Sequence, residues 1–259
     1  MCLIVLAIGQ HPEYPLILAA NRDECHARPT EDANWWDDRP DVLGGRDKQA
    51  GGTWLGVSRQ GRLATVTNFR DAKPPDTRHR SRGHLVTEFL NGASGPDEYL
   101  DSIDEDQYAG FNLIVADRQN VAYLSNREDG KRKLAPGIYG LSNALLDGPW
   151  DKVERSKKRL HELVRNDDIS VRSLLRVMHD RETGPPDEVE RGRLDFVTAH
   201  AITAPFIVLP EYGTRCTTVV LADKQDHWRF FERRFDPAGQ RTGDSDFSFS
   251  VESADPRSP

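Results

Sequence analysis

The sequence predicts an α+β fold, antiparallel sheets with helices on their outer sides. Two observations carry that expectation. Apolar, β-branched runs of strand length recur in pairs joined by short polar turns, and helical spacing is confined to blocks between the pairs. No internal repeat or linker divides the 259 residues, so one domain over residues 1–251 is expected, with Glu252 to Pro259 a disordered tail.

Leu3 to Ile8 is an unbroken apolar run, fit for a first strand buried on both faces. Gln10 to Pro15 breaks it as a turn, and Leu16 to Ala20 resumes as an antiparallel partner that runs into Asn21-Arg22-Asp23-Glu24. Residues 25–52 read as a long polar connection, of the kind that is functional or mobile. Its adjacent Trp35 and Trp36 cannot both be solvated cheaply, so they are expected to pack over something apolar, either the body of the domain or a substrate pocket that they cover or line.

Gly51 to Ser58 and Arg62 to Phe69 form a hairpin around Arg59-Gln60-Gly61, with Asn68 at its end. Arg70 to Arg82 reads as a loop, Gly83 to Leu90 and Pro96 to Ile103 as helices. Phe111 to Ala116 and Val121 to Leu124 make a second hairpin, and Gly137 to Leu141 a strand that leads into Ser142-Asn143. Trp150, Val153, Leu160, Leu163 and Val164 share one face of a helix over 150–166, and Ser170 caps another through Met178. After a long connection over 180–197, Ala201 to Leu209 reads as a strand. Tyr212 to Ala222 and Trp228 to Arg233 form a third hairpin, and Phe247 to Val251 alternates as a closing strand.

Composition excludes several functions. A net charge of −7 argues against non-specific nucleic-acid binding. No run reaches the length of a membrane span, and the first apolar run lacks a basic leader, so a cytoplasmic protein is expected. Three cysteines (Cys2, Cys25 and Cys216) leave one unpaired in any disulfide scheme. With no CxxC or HExxH, neither a metal nor another cofactor is implied.

Chemistry concentrates at the beginning. If Met1 is removed, Cys2 carries a thiol and a free α-amine, and such amines titrate at about 7.7–8.0. A thiol beside a basic amine is an activated nucleophile. Acyl transfer also needs a carboxylate to orient the amine and amide donors for the oxyanion. Asp23, Asn68 and Asn143 at strand ends supply those groups.

Met-Cys before an apolar strand, Leu-Ala-Ala-Asn-Arg-Asp-Glu, Gly-Gly-Thr-Trp-Leu-Gly, Thr-Asn-Phe-Arg-Asp, Tyr-Gly-Leu-Ser-Asn-Ala-Leu-Leu and Tyr-Gly-Thr-Arg together resemble the NRDE family, that of the transport and Golgi organisation protein 2. That family is in turn similar to N-terminal nucleophile hydrolases of the penicillin V acylase and bile-salt hydrolase group. The resemblance implies a four-layer αββα sandwich and a hydrolase acting on carbon–nitrogen bonds other than peptide bonds. Cys2 matches the nucleophile, Asp23 the carboxylate near the amine, Asn68 the oxyanion asparagine, Asn143 a second asparagine and Arg215 a late arginine. The hydrolases carry an arginine three residues before the aspartate, where this chain has Ala20; here Arg22, the remaining candidate catalytic residue, precedes Asp23 directly, and because neighbours on a strand face opposite ways the two enter one pocket only if the strand bulges or ends there. The implied ligand is a small amide, acyl or lipid-like molecule. The alternative is a non-catalytic lipid- or haem-binding or trafficking protein, and a homo-oligomer stays open.

Overall fold

The computed structural model describes residues 2–70, 80–185 and 194–251. Strand β1 (Cys2–Ile8) lies between β2 (Leu16–Cys25) and β10 (Gly137–Leu141), paired antiparallel to both. Leu3, Ile4, Val5 and Leu6 are each at most 2% exposed. Complete burial of such a side chain stabilises by about 1.5–3 kcal/mol relative to exposure, so the chain's beginning is pinned inside a sheet. That sheet continues through β11 (Tyr212–Ala222), β12 (His227–Phe235) and β13 (Arg241–Ser250), in the order β10-β1-β2-β11-β12-β13.

A second, all-antiparallel sheet runs in sequence order: β3 (Thr30–Trp36), β4 (Arg39–Asp47), β5 (Leu55–Ser58), β6 (Leu63–Asn68), β7 (Phe111–Ala116), β8 (Val121–Ser125) and the short β9 (Arg132–Lys133). The period of two sorts each strand's side chains between layers. Ile4, Leu6, Leu18, Val57, Leu63, Ile114, Tyr123 and Phe230 fill the space between the sheets. Leu3, Val5, Ile17 and Val219 face α3 (Asp151–Arg165) and α4 (Val171–Met178). Ala64, Val66, Leu113 and Val115 face α1 (Gly83–Asn91) and α2 (Pro96–Asp101). The result is the expected αββα sandwich. Ser170 caps α4 as expected, in a reciprocal capping box with Ser173.

Three expectations need correction. Residues 25–52 are not a structureless connection, because they contain the β3–β4 hairpin at the edge of the second sheet. Its polar composition is that of an edge strand with few buried positions. Trp35 and Trp36 are accommodated on opposite faces of β3. Trp35 packs between the sheets against Phe249, at 5.1 Å between ring centres, whereas Trp36 is buried in the α1/α2 layer with its indole N–H donated to Gly44 O at 2.9 Å. Ala201 to Leu209 is not a strand either. It follows the short helix α5 (Phe196–Ala201) as an irregular plug that buries Ala204, Phe206 and Ile207, with Pro205 interrupting any ladder.

Arg70 is described, but 71–79 of the basic loop, 186–193 of the later connection and the tail 252–259 lie outside the described residues. Among the described residues no helix is long and apolar enough to cross a membrane.

Candidate active site

Cys2, half-buried, begins a central strand and projects between the sheets, on the face shared with Ile4 and Leu6. It lines a cavity of about 110 Å³ together with Arg22, Asp23, Trp54 and Asn68. All three cysteines are free, and among the described residues no three His, Cys, Asp or Glu side chains gather as a metal site.

The four residues of the Asn-Arg-Asp-Glu stretch separate by face. Asn21 points to the helices, where its Nδ2 donates to Met178 O and Pro205 O at 2.8 Å each and its Oδ1 accepts from Thr217 Oγ1 at 2.6 Å. With every polar atom so engaged it is a structural clamp. Arg22 stands in register with Cys2 and shares its face. The guanidinium lies over the Trp54 ring, 4.1 Å from its centre, and donates to Thr30 Oγ1 at 3.2 Å. Asp23 points back to the helix side, 3% exposed, accepting from Thr214 Oγ1 at 2.7 Å. Glu24 caps its own strand end by accepting from the Cys25 N–H at 2.9 Å. Arg22 and Asp23 both reach the cavity although they face opposite ways, because the cavity lies at the strand's end. A bulge in the adjoining β11, between Thr214 and Cys216, loosens the ladder there.

The two asparagines occupy different places. Asn143 Oδ1 accepts from the Cys2 nitrogen at 3.3 Å, and its Nδ2 donates to Asn68 O at 2.6 Å. Asn143 thus ties the first strand to β6 through the very nitrogen that would become the amine. The Asn68 side chain is exposed to the cavity.

Arg215 is the residue the bulge extrudes. Its Nη1 donates to Cys25 O at 2.9 Å and Arg28 O at 3.1 Å, bracing the chain after β2, and it lines a neighbouring cavity rather than that of Cys2. The arginine in register with the thiol is Arg22. Trp35 and Trp36 line neither cavity. Trp54 of the Gly-Gly-Thr-Trp stretch lines both.

Sequence reasoning missed Lys152. It is 1% exposed on α3 and donates from Nζ to Ile202 O at 2.9 Å. Burial lowers its ammonium to about 8, with the charges of Asp23 and then Cys2 pulling it back up. Burial pushes the Asp23 carboxyl up to about 6, offset in part by Lys152. Burial likewise raises the Cys2 thiol. A raised thiol is not a resting thiolate, so chemistry at Cys2 requires a base. The only sequence signal for Lys152 is its alignment with Ser156 and Leu160, one turn apart on a buried stripe of α3.

Two facing antiparallel sheets, helices outside, and a cysteine opening a central strand define the class: an N-terminal nucleophile hydrolase fold. A mutant conjugated bile acid hydrolase from Clostridium perfringens superposes with a TM-score of 0.54 at 9% identity, covering 98% of this chain and 94% of that one. The Caenorhabditis elegans N-acylethanolamine-hydrolyzing acid amidase ortholog superposes at 0.50 and 13% identity, over 85% and 92% of the two chains. At these identities the likeness is one of fold.

The chain belongs to the Transport and Golgi organisation 2 family, whose model matches residues 1–237. It is 38% identical over 256 residues to the human Transport and Golgi organization protein 2 homolog, covering 90% of this chain and 92% of that one. The Drosophila melanogaster Transport and Golgi organization protein 2 is 26% identical over 273 residues, 93% and 95% of the two chains.

Proposed function

We propose that the protein is an N-terminal cysteine hydrolase that cleaves a small amide or related acyl bond, a carbon–nitrogen bond other than a peptide bond, through an acyl-enzyme on Cys2. The observation that carries this reading is the setting of the Cys2 nitrogen. It is hydrogen-bonded to Asn143 Oδ1 at 3.3 Å, with Asp23 buried in the adjoining strand and Asn68 lining the cavity the thiol enters.

Freed of Met1, that nitrogen is an amine that donates one N–H to Asn143 and keeps a lone pair for the thiol proton. The Cys2 sulfur attacks the carbonyl carbon, the C–S bond forms, and the Asn68 side chain donates to the oxyanion. Collapse breaks the C–N bond, and the amine passes its proton to the departing nitrogen. The same amine then takes a proton from water, which attacks the thioester and releases the acid and the thiol. Asp23 holds the amine, and Lys152 keeps Asp23 ionised. The rival reading, a lipid or haem carried in this pocket, would set apolar surface against Arg22, Asp23 and Glu24 and against the Arg28–Asp47 pair, polar groups that such surface would desolvate.

Intact-mass measurement tests the reading at its base. Purified protein is expected to begin at Cys2 and to gain one acyl mass on that residue from an activated ester such as p-nitrophenyl acetate. Retention of Met1 on the whole population would sink it. Lys152→Met supplies an independent check on positioning. Losing the cation removes a charge that lowers Asp23, so the ionisation of Asp23, and with it the acid limb of Cys2 acylation, is expected to move to higher pH. An unmoved limb would assign Lys152 to packing alone.

A further inference from the structure

The row of residues that begins at the nucleophile continues across the sheet. Cys2 pairs in register with Arg22, Arg22 with Cys216, and Cys216 with Arg234, so the four side chains share the inter-sheet face. Beside the Cys2 cavity and along this row lies a second one of about 290 Å³, and Arg22 and Trp54 form a wall common to both.

Arg22 is 5% exposed, yet among the described residues no carboxylate lies within 4.0 Å of it. Among the described residues its guanidinium has Thr30 Oγ1 and the Trp54 face as partners. A buried charge is costly unless it is paired, and three acidic residues that also line the second cavity are committed elsewhere. Asp32 pairs with Arg234 at 3.0 Å, and Glu31 with Lys48 at 2.8 Å. Glu232 accepts from the Ala33 N–H at 3.2 Å and from Thr218 Oγ1 at 3.3 Å. Arg215, which also lines the cavity, is a second guanidinium whose acidity is raised by burial and by the Arg22 charge.

The geometry points to a recognition site for a small organic carboxylate in this second cavity, with Arg22 as its principal anchor and Trp54 stacked beneath. The planar guanidinium fork matches a carboxylate in two parallel hydrogen bonds. The acidic residues along the walls disfavour a dianion, so a carboxylate fits better than a phosphate. A volume at the small end of ligand pockets, with arginine, threonine and acidic walls, excludes a long alkyl chain as the occupant. The site stands whether or not Cys2 turns over.

The test uses full-length Cys2→Ala protein, so that no probe is consumed, and compares benzoylglycine with neutral benzoylglycinamide by calorimetry. The carboxylate is expected to bind at least tenfold more tightly. That preference is expected to fall within threefold in Arg22→Gln and to survive in Arg22→Lys. Equal affinities, or a preference that persists in Arg22→Gln, would overturn the proposal. If Arg22→Gln does not fold, the indole N–H resonance of Trp54 in Cys2→Ala protein decides: it must shift with benzoylglycine and not with the amide. Displacement of benzoylglycine by equimolar inorganic phosphate would reassign the site to simple anions and defeat the carboxylate reading. A confirmed preference in Cys2→Ala beside wild-type protein that cannot be acylated would remove the hydrolase reading and leave this one standing.

Discussion

Replacing Cys2 by Ala is expected to abolish turnover and ester acylation, by about 10⁴-fold or more, while the fold is retained. The substitution removes a sulfur that projects into a cavity, so little packing is lost, and the β1 pairs with β2 and β10 use backbone groups that alanine keeps. Acylation measured by intact mass, with thermal unfolding alongside, separates the two effects. Residual acylation carried by Cys25, which is exposed, would show that labelling had been read from the wrong thiol.

Asp23→Asn is expected to separate function from stability in the opposite sense. The folded carboxyl titrates near 6 against an ordinary 3.8. Between those values the folded state binds more protons than the unfolded chain, so Asp23 favours folding below about pH 4 and that contribution is lost as pH rises through 6. The neutral amide escapes the cost of burying a charge and can still accept from Thr214 Oγ1. At pH 7 the variant is therefore expected to be more stable by about 1–3 kcal/mol, with the stability slope between pH 4 and 6 flattened. On the proposed mechanism the amine then lacks the carboxylate that holds it, and acylation is expected to fall at least about 100-fold. Denaturant unfolding at pH 4.5 and 7 gives the first quantity and the rate of acyl-enzyme formation gives the second. A variant less stable at pH 7 than the parent would show that Asp23 is paired well enough to offset its burial.

The hairpins were legible because their information is local. Alternation, turn residues and apolar runs placed β6 to β8 and β11 to β12 within a few residues of their observed bounds. Cys2, Asp23 and Asn68 could be grouped from strand ends and family motifs, and the fold brings them to one cavity. What escaped depends on tertiary closure. The β3–β4 hairpin buries so few side chains that its alternation is submerged in charge. Ala201 to Leu209 is apolar because it plugs the sheet's underside, not because it joins a ladder. Lys152 has an ordinary lysine's place in an amphipathic helix, and only the plug that carries Ile202 over its Nζ makes it a buried charge. Arg215 lines the neighbouring cavity and not that of the thiol, because of a bulge that is invisible in the sequence.

The position of β1 between two neighbours has a practical consequence. Any polypeptide fused ahead of Cys2 makes its nitrogen a permanent amide and must thread out beside Asn143 and Asp23. An affinity handle placed at that end would silence the proposed chemistry while leaving expression, solubility and melting behaviour normal. Inactivity recorded on such material therefore says nothing about protein whose Cys2 amine is free, and screens for a substrate belong on protein tagged at the other terminus.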